Sequence, residues 1–291
     1  MDSVFYEGIF RNDNGPIPVQ CLIQPSQHEG IWWRPHYHEY IELLYPLEGE
    51  YEIRVGGDIV LLSTQSLLVI RSGEPHCTRG TGTRQTLLCI KVLPEVLYGT
   101  GLADSAEMAI SLVEERFSRR RMFDRETLSG TCVPDALTAA YRECQENRFG
   151  SELILRAEIQ RVFLWVARFW YEAAGAPPLT LPRPGATAAL RQVRDYVREH
   201  YATANLRDAA ALCGLSYGYL SRLFGKWMNM SFSAYVNHVR VNRSLRLLVS
   251  TDMSITQIAS ELGFSSTSHF ILAFRKDHGL SPDKYRRTFH A

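Results

Sequence analysis

At 291 residues the chain has room for two domains of ordinary size, each with a sizeable core. Its formal charge of +1 conceals an asymmetry: residues 187–291 carry 14 Lys+Arg against 7 Asp+Glu and residues 1–186 carry 18 against 24, the pattern of a phosphate-binding module fused to an acidic partner domain. The six cysteines (Cys21, Cys77, Cys89, Cys132, Cys144, Cys213) show no C-x-x-C spacing or zinc-finger histidines, and the most apolar helix is broken by Arg161 and Arg168, which argues against a disulfide framework, a zinc finger and a membrane span.

From Val4 to about Leu93, apolar and polar residues alternate in short runs punctuated by Gly, Pro and Asn. Tyr51-Glu52-Ile53-Arg54-Val55, then Gly56-Gly57-Asp58 and Ile59-Val60-Leu61-Leu62, predicts a hairpin. Several short strands with such turns predict a β-barrel or jelly roll over about residues 1–95.

Within it Gly30, His36, His38, Glu42 and Gly49 are spaced G-x5-H-x-H-x3-E-x6-G, followed by Gly73-Glu74-Pro75-His76. Positions 36, 38, 40 and 42 share parity, so on one strand they project to one side. Three imidazoles and a carboxylate suit manganese, iron, zinc or nickel. This pattern resembles the first and part of the second cupin motif, which in metal-binding members gathers two His, a Glu and a third His, here His36, His38, Glu42 and His76, around one ion. Departures stand at Gln65 and Arg71, where the motif has glycine and proline, and at Gly80, where it has asparagine. They favour the alternative, a fold with no cofactor whose polar residues line a pocket or bond to backbone. Trp32, Trp33, Tyr37, Tyr40 and Tyr45 make the same stretch aromatic. On an inner face, Trp32, Arg34, His36, His38, Tyr40, Glu42, Arg71 and His76 would stack on and hydrogen-bond a small polar molecule such as a sugar; the competing reading places most of these rings in the core.

From Ala103 the period becomes helical, over 103–117, 135–149 and 151–174, the last with Leu155, Ile159, Val162, Phe163, Val166, Phe169 and Trp170 on one stripe wide enough for two surfaces. Residues 176–186, part of a stretch with four prolines, predict a stiff, non-helical linker between domains at 1–175 and 187–291.

A bracing helix is expected at Thr187–His200, and beyond it one pattern is stated twice. Leu206 to Ser216, with Leu220, Phe224, Lys226, Ser231 and Tyr235, matches Ile255 to Ser265, with Phe270, Phe274, Lys276, Ser281 and Tyr285, at an offset of 49 and then 50 residues. Each copy has a short helix with one apolar stripe, a glycine where a left-handed turn is easiest, and a second helix with a polar face, which is a helix-turn-helix over about 206–228 and 255–278. Ser254 with Gln257 forms a capping box, Asn205 with Asp208 a weaker counterpart, and Ser281-Pro282 opens a closing helix.

The run Ile258-Ala259, Gly263-Phe264-Ser265-Ser266, Phe270, Phe274-Arg275-Lys276, Gly279-Leu280-Ser281-Pro282, Tyr285-Arg286 resembles the signature of AraC/XylS-family transcriptional regulators, over about the last hundred residues. The resemblance implies two helix-turn-helix units joined by a long helix, here Phe232 to Val249, reading successive major grooves, and helices after the cupin that pair two subunits. The expected architecture is therefore two-domain: a cupin-like β-barrel (jelly roll) with C-terminal flanking helices, then an all-α domain. Expected DNA contacts are Ser216, Tyr217, Gly218, Ser221, Arg222 and Lys226 in the first unit and Ser266, Thr267, Ser268, His269, Arg275 and Lys276 in the second, with Arg222 reading a guanine edge. Leu272 stands where family members often place a cation, and Arg243, Arg246, Arg286 and Arg287 are further phosphate candidates.

The expected function is a non-enzymatic, sequence-specific transcriptional regulator, controlled by a sugar-like effector in the barrel. Its partners would be double-stranded promoter DNA, the effector, a second copy in a homodimer, and RNA polymerase for an activator. The alternative is a metal-dependent cupin enzyme fused to a DNA-binding module. Met1-Asp2-Ser3 lacks a basic-then-apolar leader, so a cytoplasmic location is expected.

Overall fold

The computed structural model describes residues 4–12, 15–25, 32–55, 58–93, 121–146, 148–173, 184–228 and 230–290. They fall into two compact units, 4–93 with 121–173, and 184–290. Residues 103–117, predicted as a helix, and most of the predicted linker lie outside the described residues.

The first unit is a sandwich of strands β1 (Phe5–Tyr6), β2 (Arg11–Asn12), β3 (Gly15–Pro16), β4 (Val19–Pro25), β5 (His36–Tyr37), β6 (Ile41–Glu48), β7 (Tyr51–Val55), β8 (Asp58–Leu62), β9 (Leu67–Ile70), β10 (His76–Gly80), β11 (Thr86–Val92) and β12 (Met122–Phe123). One sheet runs β1-β5-β10-β7-β8, the other β12-β9-β6-β11-β4, with β2-β3 a small separate pair. Alternate residues of both sheets, Tyr51, Ile53, Val55 and Leu62 against Leu44, Leu68, Ile70, Leu87 and Cys89, fill the space between them. The remaining alternates on β6 and β11, Leu43, Tyr45, Leu88 and Ile90, are buried as well. Burial on both faces explains why β6 opens as a near-continuous apolar run rather than alternating. The predicted hairpin is β7-β8, closing at Val55↔Asp58.

Gly49 turns β6 into β7 at φ 84°, and a Cβ there would sit 2.6 Å from the Arg84 carbonyl oxygen, so the position admits only glycine. Gln65, standing where the cupin pattern has glycine, has a left-handed backbone at φ 62°, a region that favours glycine. Its N–H donates to the Pro46 carbonyl at 2.9 Å, which holds the turn.

Helices α1 (Arg125–Leu128), α2 (Val133–Glu146) and α3 (Ser151–Ala173) complete this unit. The expected helix at 135–149 begins two residues earlier and does not reach 149, because Gly150, at φ 84°, turns the chain into α3. Phe123 packs edge-on against Trp165 and Phe169 of α3, at 5.4 and 5.3 Å between centroids. All six cysteines are free thiols.

The second unit is all helical: α4 (Pro184–His200), α5 (Leu206–Leu212), α6 (Tyr217–Met228), α7 (Phe232–Ser250), α8 (Ile255–Glu261), α9 (Thr267–His278) and α10 (Pro282–His290). Helix α4 corrects the linker reading, since Pro184 opens it three residues before Thr187; proline is tolerated at a first helical position, where its missing N–H has no partner to lose. Asn205 accepts from the Asp208 N–H, and Ser254 with Gln257 forms the full reciprocal box, its two bonds 2.7 and 3.2 Å long. Gly214 and Gly263 occupy the same place in the repeat at φ 64° and 76°.

Helix α7 serves two cores. Its first half (Phe232, Tyr235, Val236) packs with Leu220 and Phe224 of α6 and Val193 and Val197 of α4. The second half (Val241, Leu245, Leu248, Val249) is buried in the second unit's share of the core. There Phe264, Phe270, Phe274 and Tyr285 run in contact at 5.1, 5.8 and 5.5 Å. Each such ring removed from water contributes about 1.5–3 kcal/mol before ordering costs. Among the described residues no helix is long and apolar enough to cross a membrane.

Candidate functional sites

At one end of the sandwich His36, His38, Glu42 and His76 come together, each offering a ligand atom within 4.8 Å of the others. Residues 36–42 do not form one strand, so the shared parity of 36, 38 and 42 is not what gathers them. β5 belongs to one sheet and β6 to the other, so His36 and Glu42 approach from opposite layers while His38 sits on the crossing between them. His76 then closes the cluster from β10, opposite His36 in register.

The protonation pattern follows from the backbone. His36, His38 and His76 place Nδ1 at 3.1, 3.1 and 2.9 Å from the carbonyl oxygens of Arg34, Tyr40 and Glu74. A carbonyl can only accept, so all three Nδ1 atoms carry hydrogen and the Nε2 lone pairs are left for the cluster. The Glu42 carboxylate lies 3.3 Å from Nε2 of His38 and 2.8 Å from Nε2 of His76. Burial pushes the Glu42 carboxyl up, but a proton taken up on Nε2 of His38 or His76 supplies hydrogen bonds and charge that outweigh it and hold it well below the usual range. Burial lowers His76, yet the adjacent carboxylate outweighs that and raises it. His36, with burial and the charge of His76 against it, is pushed down to about 3. Acceptors that converge without a hydrogen between them call for a cation, either one extra proton or a metal ion.

The other expected barrel residues are placed less uniformly. Tyr40 is fully buried beside His38, its hydroxyl donating to the Ile17 carbonyl and accepting the Phe10 N–H at 3.0 and 3.2 Å, so its oxygen serves the fold. Arg71 is buried and bonded to Glu74, which Arg121 also reaches at 2.6 Å. Trp32 stacks between the guanidinium groups of Arg54 and Arg79, on the strand faces opposite to Val55 and His76, and exposed Arg34 lies over Phe5. What the sequence reading missed is Lys91. It lies opposite Glu42 in register, 2% exposed, and its ammonium bonds to Glu7, whose carboxylate is also 3.8 Å from His36. A lone lysine inside the apolar run 86–92 was the available signal.

In the second unit α6 presents Tyr217, Ser221, Arg222 and Lys226 to solvent, with Gly218 half-buried. Ser216 accepts the Tyr219 N–H and Ser266 the His269 N–H, so both cap recognition helices while keeping a hydroxyl donor. On α9, Ser268, Arg275 and Lys276 are exposed, and Leu272 is 67% exposed at the position matching Arg222. Ile271 is half-buried. Thr267 bonds to Thr256 at 3.3 Å, and both ring nitrogens of His269 are engaged, with Asn237 at 3.3 Å and Ser265 at 3.2 Å. Of the further phosphate candidates, Arg243 donates to the Arg198 carbonyl, Arg286 to those of Leu248 and Met253, and Arg287 pairs with Asp283, whereas Arg246 is exposed.

Residues 209–288 match the family described as a helix-turn-helix domain, and residues 20–92 match the cupin domain family. The chain is 36% identical over 105 residues to the uncharacterized helix-turn-helix-type transcriptional regulator YijO of Escherichia coli, covering 36% of this chain but 37% of that protein. It is 24% identical over 266 residues to the melibiose operon regulatory protein of Escherichia coli, covering 87% of this chain and 83% of that one. The regulatory protein PocR of Salmonella typhimurium is 36% identical over 110 residues, 38% of this chain and 36% of its own.

Proposed function

Since this chain is an AraC-family helix-turn-helix transcriptional regulator with an N-terminal cupin domain, we propose that a small effector acts through the polar end of the sandwich while α6 and α9 read promoter DNA. The observation that carries the effector site is the set of three imidazoles whose Nδ1 hydrogens all go to carbonyls while their Nε2 atoms face the cluster around Glu42. That donor set fits a divalent transition metal, and we weigh it above the departures at Gln65, Arg71 and Gly80, since Gln65 adopts a left-handed backbone that favours glycine. A metal held by His36, His38, Glu42 and His76 would supply Lewis acidity toward an oxygen-bearing effector. Lys91 and Glu7 would bind the effector's polar groups beside it.

A sugar or related metabolite remains the proposed class, supported by the relative named for a melibiose operon. The position of Trp32 removes one expected stacking surface, and the Phe10 ring beside Tyr40 lies 5.7 Å from the Lys91 ammonium. We also propose a homodimer through α3, which leaves Leu153 and Ile154 exposed at 73% and 46%.

The test is elemental analysis and thermal shift of the purified full chain with manganese, iron, zinc and nickel. A ligand that binds only the folded state raises its melting temperature. Near one equivalent of metal, lost in His38→Ala, is expected; no uptake and no shift with any ion would leave an effector site without metal.

A further inference from the structure

The turn of the second helix-turn-helix unit packs against the turn between α4 and α5 that leads into the first. Arg240, midway along α7, donates from Nε to the Tyr201 carbonyl at 2.8 Å and from Nη2 to the Ala202 carbonyl at 3.1 Å, in the turn that follows α4. Its guanidinium also lies 5.6 Å from the centre of the Phe264 ring, in the turn of the second unit. The neighbouring residue of that turn, Gly263, is pressed on the same backbone, since a Cβ there would be 2.0 Å from the Ala202 oxygen. One helical turn earlier on α7, Asn237 holds His269 at the start of recognition helix α9, and His269 packs edge-on against Phe264. Arg243, a turn later on a neighbouring face, donates to Arg198 and lies 4.4 Å over Tyr201.

A single helix joining two units would let the second swing with every bend of α7. A fork seated on two successive carbonyls, stacked on the partner unit and closed by a glycine contact, removes that freedom.

We infer that Arg240 is a positioning residue that fixes the distance and phase between α6 and α9, and so makes the protein selective for the spacing of the two DNA segments it contacts. Each base pair added between them moves the second segment by 3.4 Å along the axis and by about a tenth of a turn around it. A rigid pair cannot follow that, whereas a hinged pair can. This inference rests on both units contacting DNA, and its test separates the two.

Duplexes are selected by the wild-type full chain from a random library, and the best is rebuilt with one or two base pairs inserted or removed between the two contacted segments. The wild type should lose about tenfold or more in affinity for each change, while Arg240→Ala and Arg240→Lys should bind the optimal duplex more weakly yet show a flattened profile, because lysine keeps the charge but not the fork. Loss by one common factor at every spacing would show a role in stability alone and overturn the inference. Variants that bind no DNA are covered by a DNA-free measurement. Pulsed electron–electron distances between spin-labelled unnatural residues at exposed positions 221 and 272 should be narrowly distributed in wild type and broad in Arg240→Ala. Equal widths would overturn the inference whatever the DNA result, and a selection that enriches no sequence would count against DNA reading rather than against the clip.

Discussion

Gly214 and Gly263 occupy equivalent turns with nearly the same backbone, yet replacing each by alanine should have very different consequences. At Gly214, φ is 64° and a Cβ would meet nothing within 4 Å. Alanine there carries the left-handed cost of about 1–2 kcal/mol, partly offset by about 0.4–1 kcal/mol from a less flexible unfolded chain. At Gly263 the same terms apply, but the added carbon would lie 2.0, 2.7 and 2.8 Å from the oxygen, carbonyl carbon and Cα of Ala202, all backbone atoms. Overpacking of that kind costs about 1–3 kcal/mol. The displaced carbonyl is also an acceptor of Arg240, a charge-assisted bond worth about 1.5–3 kcal/mol. Gly214→Ala should therefore cost about 1 kcal/mol and Gly263→Ala about 3–5 kcal/mol, out of the 5–15 kcal/mol usual for a domain. Amide exchange in graded urea, read on peptides from α7, reports the second unit alone. A difference below about 1 kcal/mol between the two variants would refute the claim that the turn of one unit bears on the other.

Arg222→Ala should cost about 1–3 kcal/mol of DNA affinity and relax preference at one base position, measured by selection from random duplexes; equal loss on all sequences would reassign Arg222 to phosphate. Gln65→Gly should raise the melting temperature of the first unit by about 2–4 °C, because a left-handed backbone at φ 62° is relieved; a lower value would mean the glutamine side chain holds the turn.

The helix-turn-helix pair was legible because its determinants are local. Helical period, a glycine after the last periodic residue and a serine three residues before its partner all lie within a few positions of one another, and all appear where expected, as at Ser254, Gln257 and Gly263. The histidine cluster was legible in membership but not in geometry. The chain changes sheets between His36 and Glu42, which no alternation pattern reveals. Lys91 on β11 and Glu7 just past β1 are 84 positions apart and belong to different sheets, so they meet only once the two sheets pack together. Trp32 was misplaced because an aromatic near two histidines looks like a pocket wall, whereas two arginines on the outer strand faces claim its ring. Pro184 was taken as linker because proline breaks helices in their interior, a rule that reverses at their first turn.

Cations were the least legible feature, and this bears on how firmly the protein holds DNA. By sequence, every Lys and Arg of the second unit counts toward the same electrostatic footprint. In the fold, Arg240, Arg243 and Arg286 have carbonyl partners in the turn after α4, in α4 itself and around the C-terminal end of α7, so they hold helices together. The negative pole at a helix C-terminus makes such carbonyls good acceptors for a guanidinium. Of the cations read as phosphate candidates from the sequence, Lys226, Arg275, Lys276 and Arg246 are exposed, two of them on α9, and Arg287 is exposed but paired with Asp283. Neutralising about three or four phosphates gives a slope of log affinity against log salt of about −3 to −3.5 per chain, against about −6 if the carbonyl-bound arginines contributed too. Titration of a selected duplex from about 50 to about 200 mM potassium chloride distinguishes the two. Lys276→Ala should lower the slope by about one, whereas Arg286→Ala should leave it unchanged while lowering the melting temperature. A slope that falls equally in both variants would mean that a guanidinium already bonded to backbone still reaches the duplex, and the separation of structural from DNA-facing cations would fail.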